Sequence, residues 1–438
     1  MQIIAPHLAD APAPRGGCAV VDLTELDPAG VEDLLHRQVI AVPLLVRVVL
    51  ALAQNGLPRV ILRWGPGQAP LRERFGDDPR LRRVARWLAA GDAPPDCGGE
   101  GLYLVAPRCL VNGLVLAALD RAVQGAGPAE LYAADPRGRL LWVPPATLAA
   151  AREAAPGGWT EWLRRRPARR VTLDDPGAAM LWVAGAADTA AAERLLCEEV
   201  TRKKGGWIAK RLNEPVSLWI ARRLAPTPVT PNQITLVNGL LGLLSALLVI
   251  LGARRGAYWP LAAGGLLFYA VDIFDGIDGE LARLTFRSSP RGALYDTLGD
   301  NLTVAAFLAA VAYAAHLQVP HWSLPLAAAL ALGGFTAVVL YLAWFTQRHY
   351  GHVQLRLYET RFMAGLPRDR PLTRAILAAR HLYTKDIYTA LMAVLVVAAR
   401  PAWVIYLAAG YALAAAWGYT YLGLRYGGPG GARRRRAG

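Results

Sequence analysis

Apolar runs long enough to cross a bilayer fill the second half of this chain, and carboxylates sit inside two of them. Spanning the hydrocarbon core takes about 20 consecutive apolar residues. Runs of that order fall near 233–253, 258–277, 293–316, 322–345, 386–400 and 402–424. The expected architecture is therefore an α-helical polytopic membrane domain with about six transmembrane helices. The fifth run is short, and the second and third carry acids.

The acids lie in the stretch VDIFDGIDGELARLTFRSSPRGALYDTLGDN, from Val271 to Asn301. A charged side chain near the centre of a membrane helix costs on the order of 2.5–3.5 kcal/mol on insertion scales, so it requires a compensating partner. Asp275 and Asp278 are three apart, and Gly279 and Ala282 continue the same helix face. Gly292, Asp296 and Asp300 are each four apart, which defines one face of the next helix. Two such faces turned together present four carboxylates around one point. Four oxygen donors with no nearby His or Cys favour a hard cation, Mg2+ or Mn2+. Any one of these acids could cap a helix or pair with Arg283, Arg287 or Arg291; four in register beside small residues are not explained that way. Asp272 is off the face and reads as a capping or supporting residue.

The first half has a different texture, mixing charge with Pro and Gly. Residues 1–200 alternate short apolar runs with helix-like stretches, which predicts an α/β domain. Cys18–Leu23, Arg59–Leu62 and Leu102–Ala106 read as strands; Pro43–Asn55, Pro79–Ala90 and Asp188–Val200 read as helices. Residues 201–230 turn basic and amphipathic. Trp207, Ile208, Leu212, Val216, Trp219, Ile220 and Leu224 recur at helical spacing among Lys and Arg, as in a helix lying in the membrane interface. The membrane domain then occupies 231–426, and 427–438 is a basic tail.

The net charge of +15 raises the question of nucleic acid. No zinc knuckle, aromatic RNP strand or basic zipper helix is present, so no nucleic-acid partner is expected. The cations instead crowd segments 282–292, 347–385 and 425–438, while the opposite loops hold only Arg254, Arg255 and Arg400. By the positive-inside rule both termini and the carboxylate end of the helices face the cytoplasm. The opening residues lack a basic stretch followed by an apolar core, so no cleavable signal peptide is expected. Cys18, Cys97, Cys109 and Cys197 form no C-x-x-C pair, and neither a disulfide framework nor a zinc site is expected.

The carboxylate pattern carries a resemblance. D-x-x-D-G-x-x-A-R, eight residues, then G-x-x-x-D-x-x-x-D is the signature of CDP-alcohol phosphotransferases, and it is met here by Asp275, Asp278, Gly279, Ala282, Arg283, Gly292, Asp296 and Asp300. The resemblance extends from about Lys204 to Arg425 and includes Pro231, Asn232 and Thr235 at the opening of the first span. It implies transfer of a substituted phosphoryl group from a CDP-linked alcohol, CDP-diacylglycerol or a CDP-polyol, to the hydroxyl of a second alcohol or phosphorylated alcohol, with release of CMP. It further implies Asp275, Asp278, Asp296 and Asp300 as ligands of two Mg2+ or Mn2+ ions, with Asp300 also the catalytic base. Gly279, Ala282, Arg283, Gly292, Asn232 and Thr235 would contact the substrate. Membrane lipids as surroundings, a homodimer, and a bacterial or archaeal-type cytoplasmic membrane complete what it implies.

The first half resembles sugar-phosphate nucleotidyltransferases over Gln38–Arg63 and Trp182–Leu196. The G-x-G-x-R-L phosphate loop of that family is replaced by CAVVDLTELDPAG, and YLVAPRC stands where a metal-binding Asp would be. A Gly-rich loop and an acidic ligand are what hold a nucleoside triphosphate. The expectation is a domain of that fold without catalysis. The pairing of the two halves is similar to the bifunctional enzymes of di-myo-inositol phosphate synthesis. Two rival expectations follow: a bifunctional enzyme that still makes its own CDP-alcohol, and a cation transporter that uses the carboxylates as an ion path.

Overall fold

In the computed structural model, described for residues 17–57, 59–124, 130–202, 209–351, 353, 355, 357–367, 370–379 and 385–427, the chain divides between Glu199 and Val200 into two units. The first is organised on β1 (Cys18–Asp22), every residue of which is buried. A continuous apolar run suits a strand covered on both faces. It is followed by α1 (Pro28–His36), the short pair β2 (Gln38–Val39) and β3 (Val42–Pro43), α2 (Leu44–Gln54) and β4 (Arg59–Trp64). Gly56, at φ 91°, supplies the left-handed turn between α2 and β4. Then come α3 (Ala69–Phe75), β5 (Ala85–Ala89), β6 (Leu102–Val105), β7 (Cys109–Val111), α4 (Gly113–Val123), β8 (Leu131–Ala133) and β9 (Leu140–Val143). The unit closes with α5 (Pro145–Ala154), α6 (Trp159–Arg164), β10 (Ala168–Arg170), β11 (Met180–Trp182) and α7 (Ala186–Arg202).

Seven strands form one sheet in the order β10-β8-β9-β6-β1-β4-β5. β1 pairs in parallel with both β4 and β6, setting Val20 opposite Ile61 and Leu104. β9 runs antiparallel to β6 and β8. The α/β expectation is met, with two local corrections. Residues 79–90 are not a helix: they form a turn and then β5, which pairs in parallel with β4, Ile61 opposite Arg86. Leu81, Val84 and Leu88 recur at helical spacing, yet the partner strand, distant in sequence, decides the outcome. Cys18 and Cys97 form a disulfide across 79 residues. Cysteine spacing alone carries no trace of such a pair.

The second unit holds α8 (Glu214–Leu224), α9 (Pro231–Arg255), α10 (Tyr258–Thr285), α11 (Pro290–Gln318), α12 (Ser323–Tyr350), α13 (Pro371–Ala379), α14 (Lys385–Val397) and α15 (Pro401–Tyr426). Among the described residues five helices, α9 to α12 and α15, are long and apolar enough to cross a membrane. The unit is an integral membrane domain. The fifth expected run is α14, whose 13 described residues reach about 20 Å at 1.5 Å per residue, less than the hydrocarbon thickness. Ala399, at φ 54°, turns the chain before α15 begins.

The interior of this unit is apolar and tightly filled. Phe268 of α10 stacks on Phe307 of α11 with ring centroids 3.7 Å apart, surrounded by Val249, Val311, Ala314, Val396 and Val404. Small residues let the helices close up: a Cβ on Gly242 would stand 2.5 Å from Thr303 Cγ2, and one on Gly264 2.7 Å from Val249 Cγ2. Leu236, Leu240, Leu247 and Leu266 are exposed on the outer face, as lipid contact requires. On α8 the large apolar residues Val216 and Trp219 are exposed, preceded by Leu212, while Glu214, Ser217 and Ala221 are buried. Of the other residues of the expected stripe, Ile220 and Leu224 are half-buried, and Trp207 and Ile208 lie outside the described residues, as does the basic tail from 428.

Candidate active site

Two local decisions bring the carboxylates together. α10 ends where Phe286 takes a left-handed conformation at φ 56° and Arg287 N–H donates to Ala282 O at 2.9 Å. α11 then begins from Ser289, whose hydroxyl accepts the Gly292 N–H at 3.0 Å, with Pro290 in the first turn. A stop, a short turn and a capped start return the chain beside itself. The face of α11 carrying Gly292, Asp296 and Asp300 thus comes against the end of α10.

Asp275, Asp296 and Asp300 converge: each offers a carboxylate oxygen, and the three atoms lie within 4.8 Å of one another. Oxygens around one Mg2+ at about 2.0–2.1 Å span at most about 4.2 Å, so the trio fits a hard divalent cation after small side-chain rotations. All donors are oxygen, which is the chemistry such an ion selects. Asp278 stands apart from the trio. It is buried, and its Oδ2 accepts a hydrogen bond from Thr235 Oγ1 at the start of α9.

The remaining expected residues gather around the same point. A Cβ on Gly279 would stand 3.2 Å from Arg283 Nη1, so the guanidinium lies across that glycine. A Cβ on Gly292 would stand 2.9 Å from Asn232 Oδ1, which puts the opening turn of α9 against the opening turn of α11. α9 is fixed there by a capping box, Thr230 with Gln233. Ala282 serves the end of α10 through its carbonyl.

One residue was not anticipated as part of the site. Lys385, the first residue of α14, donates from Nζ to Asp275 Oδ2 at 3.0 Å and to Asp300 Oδ2 at 2.8 Å. In sequence it is one more cation in a basic segment, and nothing local distinguishes it. Asp272 is drawn in with it: Oδ1 lies 3.9 Å from Lys385 Nζ, and Oδ2 accepts from Asn213 Nδ2 at 3.0 Å. Asn213 in turn accepts from Tyr269 OH at 3.1 Å. Nearby, Ser217 of α8 donates to the buried Glu280 Oε1 at 2.8 Å. Asn213 and Ser217 therefore support α10 from within.

The sheet of the first unit has its own crevice position, at the carboxyl ends of β1 and β6, where ligands bind in open α/β folds. Here side chains fill it. Arg63 donates to Asp22 Oδ1 at 3.2 Å, Thr24 Oγ1 at 2.8 Å and Thr160 Oγ1 at 2.9 Å, and to the carbonyls of Ala90 and Gly157. Arg108, in the turn after β6, pairs with Asp33 at 2.9 Å. Arg164 pairs with Glu25. Burial pushes the Glu25 carboxyl up to about 7 against the opposing pull of Arg164. The loop after β1 is a single 3-10 turn, Leu23–Glu25, and carries no glycine.

Residues 228–422 match the CDP-alcohol phosphatidyltransferase family. The chain is 38% identical over 132 residues to the bifunctional IPC transferase and DIPP synthase of Thermococcus kodakarensis, covering 30% of this chain and 28% of that protein. It is 37% identical over 136 residues to the protein of the same name from Aquifex aeolicus, covering 31% and 29%. It is 35% identical over 94 residues to cholinephosphotransferase 1 of Gallus gallus, covering 20% and 28%. Each match spans under a third of the relative's length.

Proposed function

We propose that this chain, whose membrane half carries a CDP-alcohol phosphatidyltransferase domain, transfers a substituted phosphoryl group from a CDP-linked alcohol to the hydroxyl of a second alcohol, releasing CMP and leaving a phosphodiester. The observation that carries this reading is the convergence of Asp275, Asp296 and Asp300 within 4.8 Å, on two helices whose other motif residues surround them.

The roles follow from chemistry. Two Mg2+ or Mn2+ ions held by Asp275, Asp278, Asp296 and Asp300 would neutralise the donor's pyrophosphate and the departing CMP. Asp300 takes the proton of the attacking hydroxyl, which requires hydrogen-bond reach to it. Arg283 pairs with a phosphate oxygen. Gly279 and Gly292 keep the helix backbones open to close approach by the nucleotide, and Asn232 and Thr235 bound it from α9. The excess of Lys and Arg on the loops at this end supports a cytoplasmic site, where CMP is released into water. The protein is taken to work as a homodimer among membrane lipids, in phospholipid or polar phosphodiester synthesis.

The bifunctional names of two relatives favour a second reading, in which the first unit also makes the CDP-alcohol. The occupied crevice at Asp22, Arg63 and Arg108, and the missing glycine loop, support instead a nucleotidyltransferase-like domain that has lost catalysis.

The test uses the purified full chain in detergent with Mg2+ or Mn2+ and a panel of CDP-linked donors and alcohol acceptors, CMP and product being identified by mass. CMP release with one pairing is expected. No CMP from any donor would overturn the reading; pyrophosphate released from CTP and a phosphorylated alcohol would establish the second.

A further inference from the structure

The ammonium of Lys385 engages carboxylates that a metal ion would also take. It donates to one oxygen each of Asp275 and Asp300, two of the three converging carboxylates. Carboxylates this close repel one another and favour any cation that can sit between them. We propose that Lys385 is an exchangeable counter-cation of the carboxylate site: it holds Asp275 and Asp300 together in the metal-free protein and withdraws toward Asp272 when a divalent ion enters. The inference rests on the metal-site reading above.

The geometry supports exchange over permanent pairing. The oxygens that accept from Nζ are on the carboxylates a metal would take, so the ammonium and the ion compete for them. Lys is a compact charge on a flexible four-carbon stem, and it can swing without backbone movement. A receiving group is already in place: Asp272 Oδ1 lies 3.9 Å from Nζ, while its other oxygen is held by Asn213. That assigns Asp272 a part that its position off the ligand face left unexplained. The next residue, Asp386, accepts from the Ala209 N–H at 3.0 Å, which fixes the backbone from which Lys385 swings.

The test is Mn2+ binding to the detergent-solubilised full chain, read by the electron paramagnetic resonance of free Mn2+, for wild type, Lys385→Met and Lys385→Arg. Removing the competing charge is expected to lower the Kd for Mn2+ by about tenfold or more in Lys385→Met, with Lys385→Arg at or above wild type. A Kd unchanged or raised in Lys385→Met overturns the proposal. A second readout needs no variant: reductive methylation of Lys385, followed by mass spectrometry, is expected to rise when Mn2+ is added, and a constant or falling yield also overturns it. If wild type binds Mn2+ and Asp275→Asn abolishes binding, while Lys385 affects neither readout, only the exchange falls. If wild type binds no Mn2+, the metal-site reading falls with it.

Discussion

Thr235 Oγ1 on α9 donates to Asp278 Oδ2 on α10, a hydrogen bond between side chains 43 residues apart. It orients a carboxylate that stands outside the converging trio and joins the helix that carries Asn232 to the helix that carries Arg283. Groups that orient a metal ligand are typically worth about 10–100-fold in metal affinity or activity. Thr235→Val is therefore expected to reduce CMP release by about that factor, and Thr235→Ser to restore most of it. Equal losses in both variants would show that the hydroxyl is irrelevant. Steady-state CMP release decides.

On the proposed function Asp300 has two duties, ligand and base. A positioned base contributes about 10²–10⁴-fold. Asp300→Asn should lose at least that much turnover, with CDP-donor binding in Mn2+ retained better than turnover. Metal-dependent CMP release that survives in Asp300→Asn would remove it from the base's role. Rapid-quench measurement of the first turnover separates binding from chemistry.

Gly292 abuts Asn232. An alanine Cβ there would lie 2.9 Å from Asn232 Oδ1 and 3.0 Å from Ser289 Oγ, so the amide must move. Gly292→Ala is expected to raise KM for the CDP-linked donor several-fold while kcat changes less, since the effect falls on binding. A pure kcat loss would mean that Asn232 does not contact the donor. Initial-rate kinetics across donor concentration give the split.

Arg63 is the pin of the first unit, buried to 4% exposure with five hydrogen-bond partners. Breaking a buried ion pair from one side strands the other charge, typically costing about 3–5 kcal/mol. Arg63→Met should destabilise this unit by about that amount in denaturant unfolding followed by the buried Trp159, over which the guanidinium sits at 5.6 Å. A loss under about 1 kcal/mol would show that the crevice is not held by this pair.

Glu25 supplies a pH signature. Its folded-state value, about 7, is above its ordinary 4.5, so the folded unit holds this proton more tightly than the unfolded chain does. The stability it contributes is complete below about pH 4.5 and disappears as pH rises through 7. Thermal melts of the full chain between pH 5 and 8 should show the Trp159 transition falling with pH, and Glu25→Gln should flatten that slope. A slope identical in Glu25→Gln would assign the effect elsewhere.

What could be read in the sequence was what repeats within one turn of helix. The faces Asp275–Asp278 and Gly292–Asp296–Asp300 are local patterns, and α9 to α12 and α15 follow from apolar runs of span length. Lys385 lay hidden because its partners are 85 and 110 residues away and its neighbours are ordinary loop cations. β5 has the look of a helix because Arg82, Arg83 and Arg86 mimic a polar helix face, while its pairing with β4 is non-local. Among the apolar runs the fifth is the exception: the described part of α14 is shorter than a span.

α10 has 28 residues, about 42 Å at 1.5 Å per residue, against a hydrocarbon core of about 30 Å. Asp275 lies 17 residues beyond Tyr258, about 26 Å along the axis, close to where the core ends if Tyr258 marks the opposite boundary. On that placement the carboxylates would stand at a seam between two solvents. A hydrophilic reactant could then arrive from the aqueous phase and an oily one by lateral diffusion, and neither would have to enter the medium that excludes it.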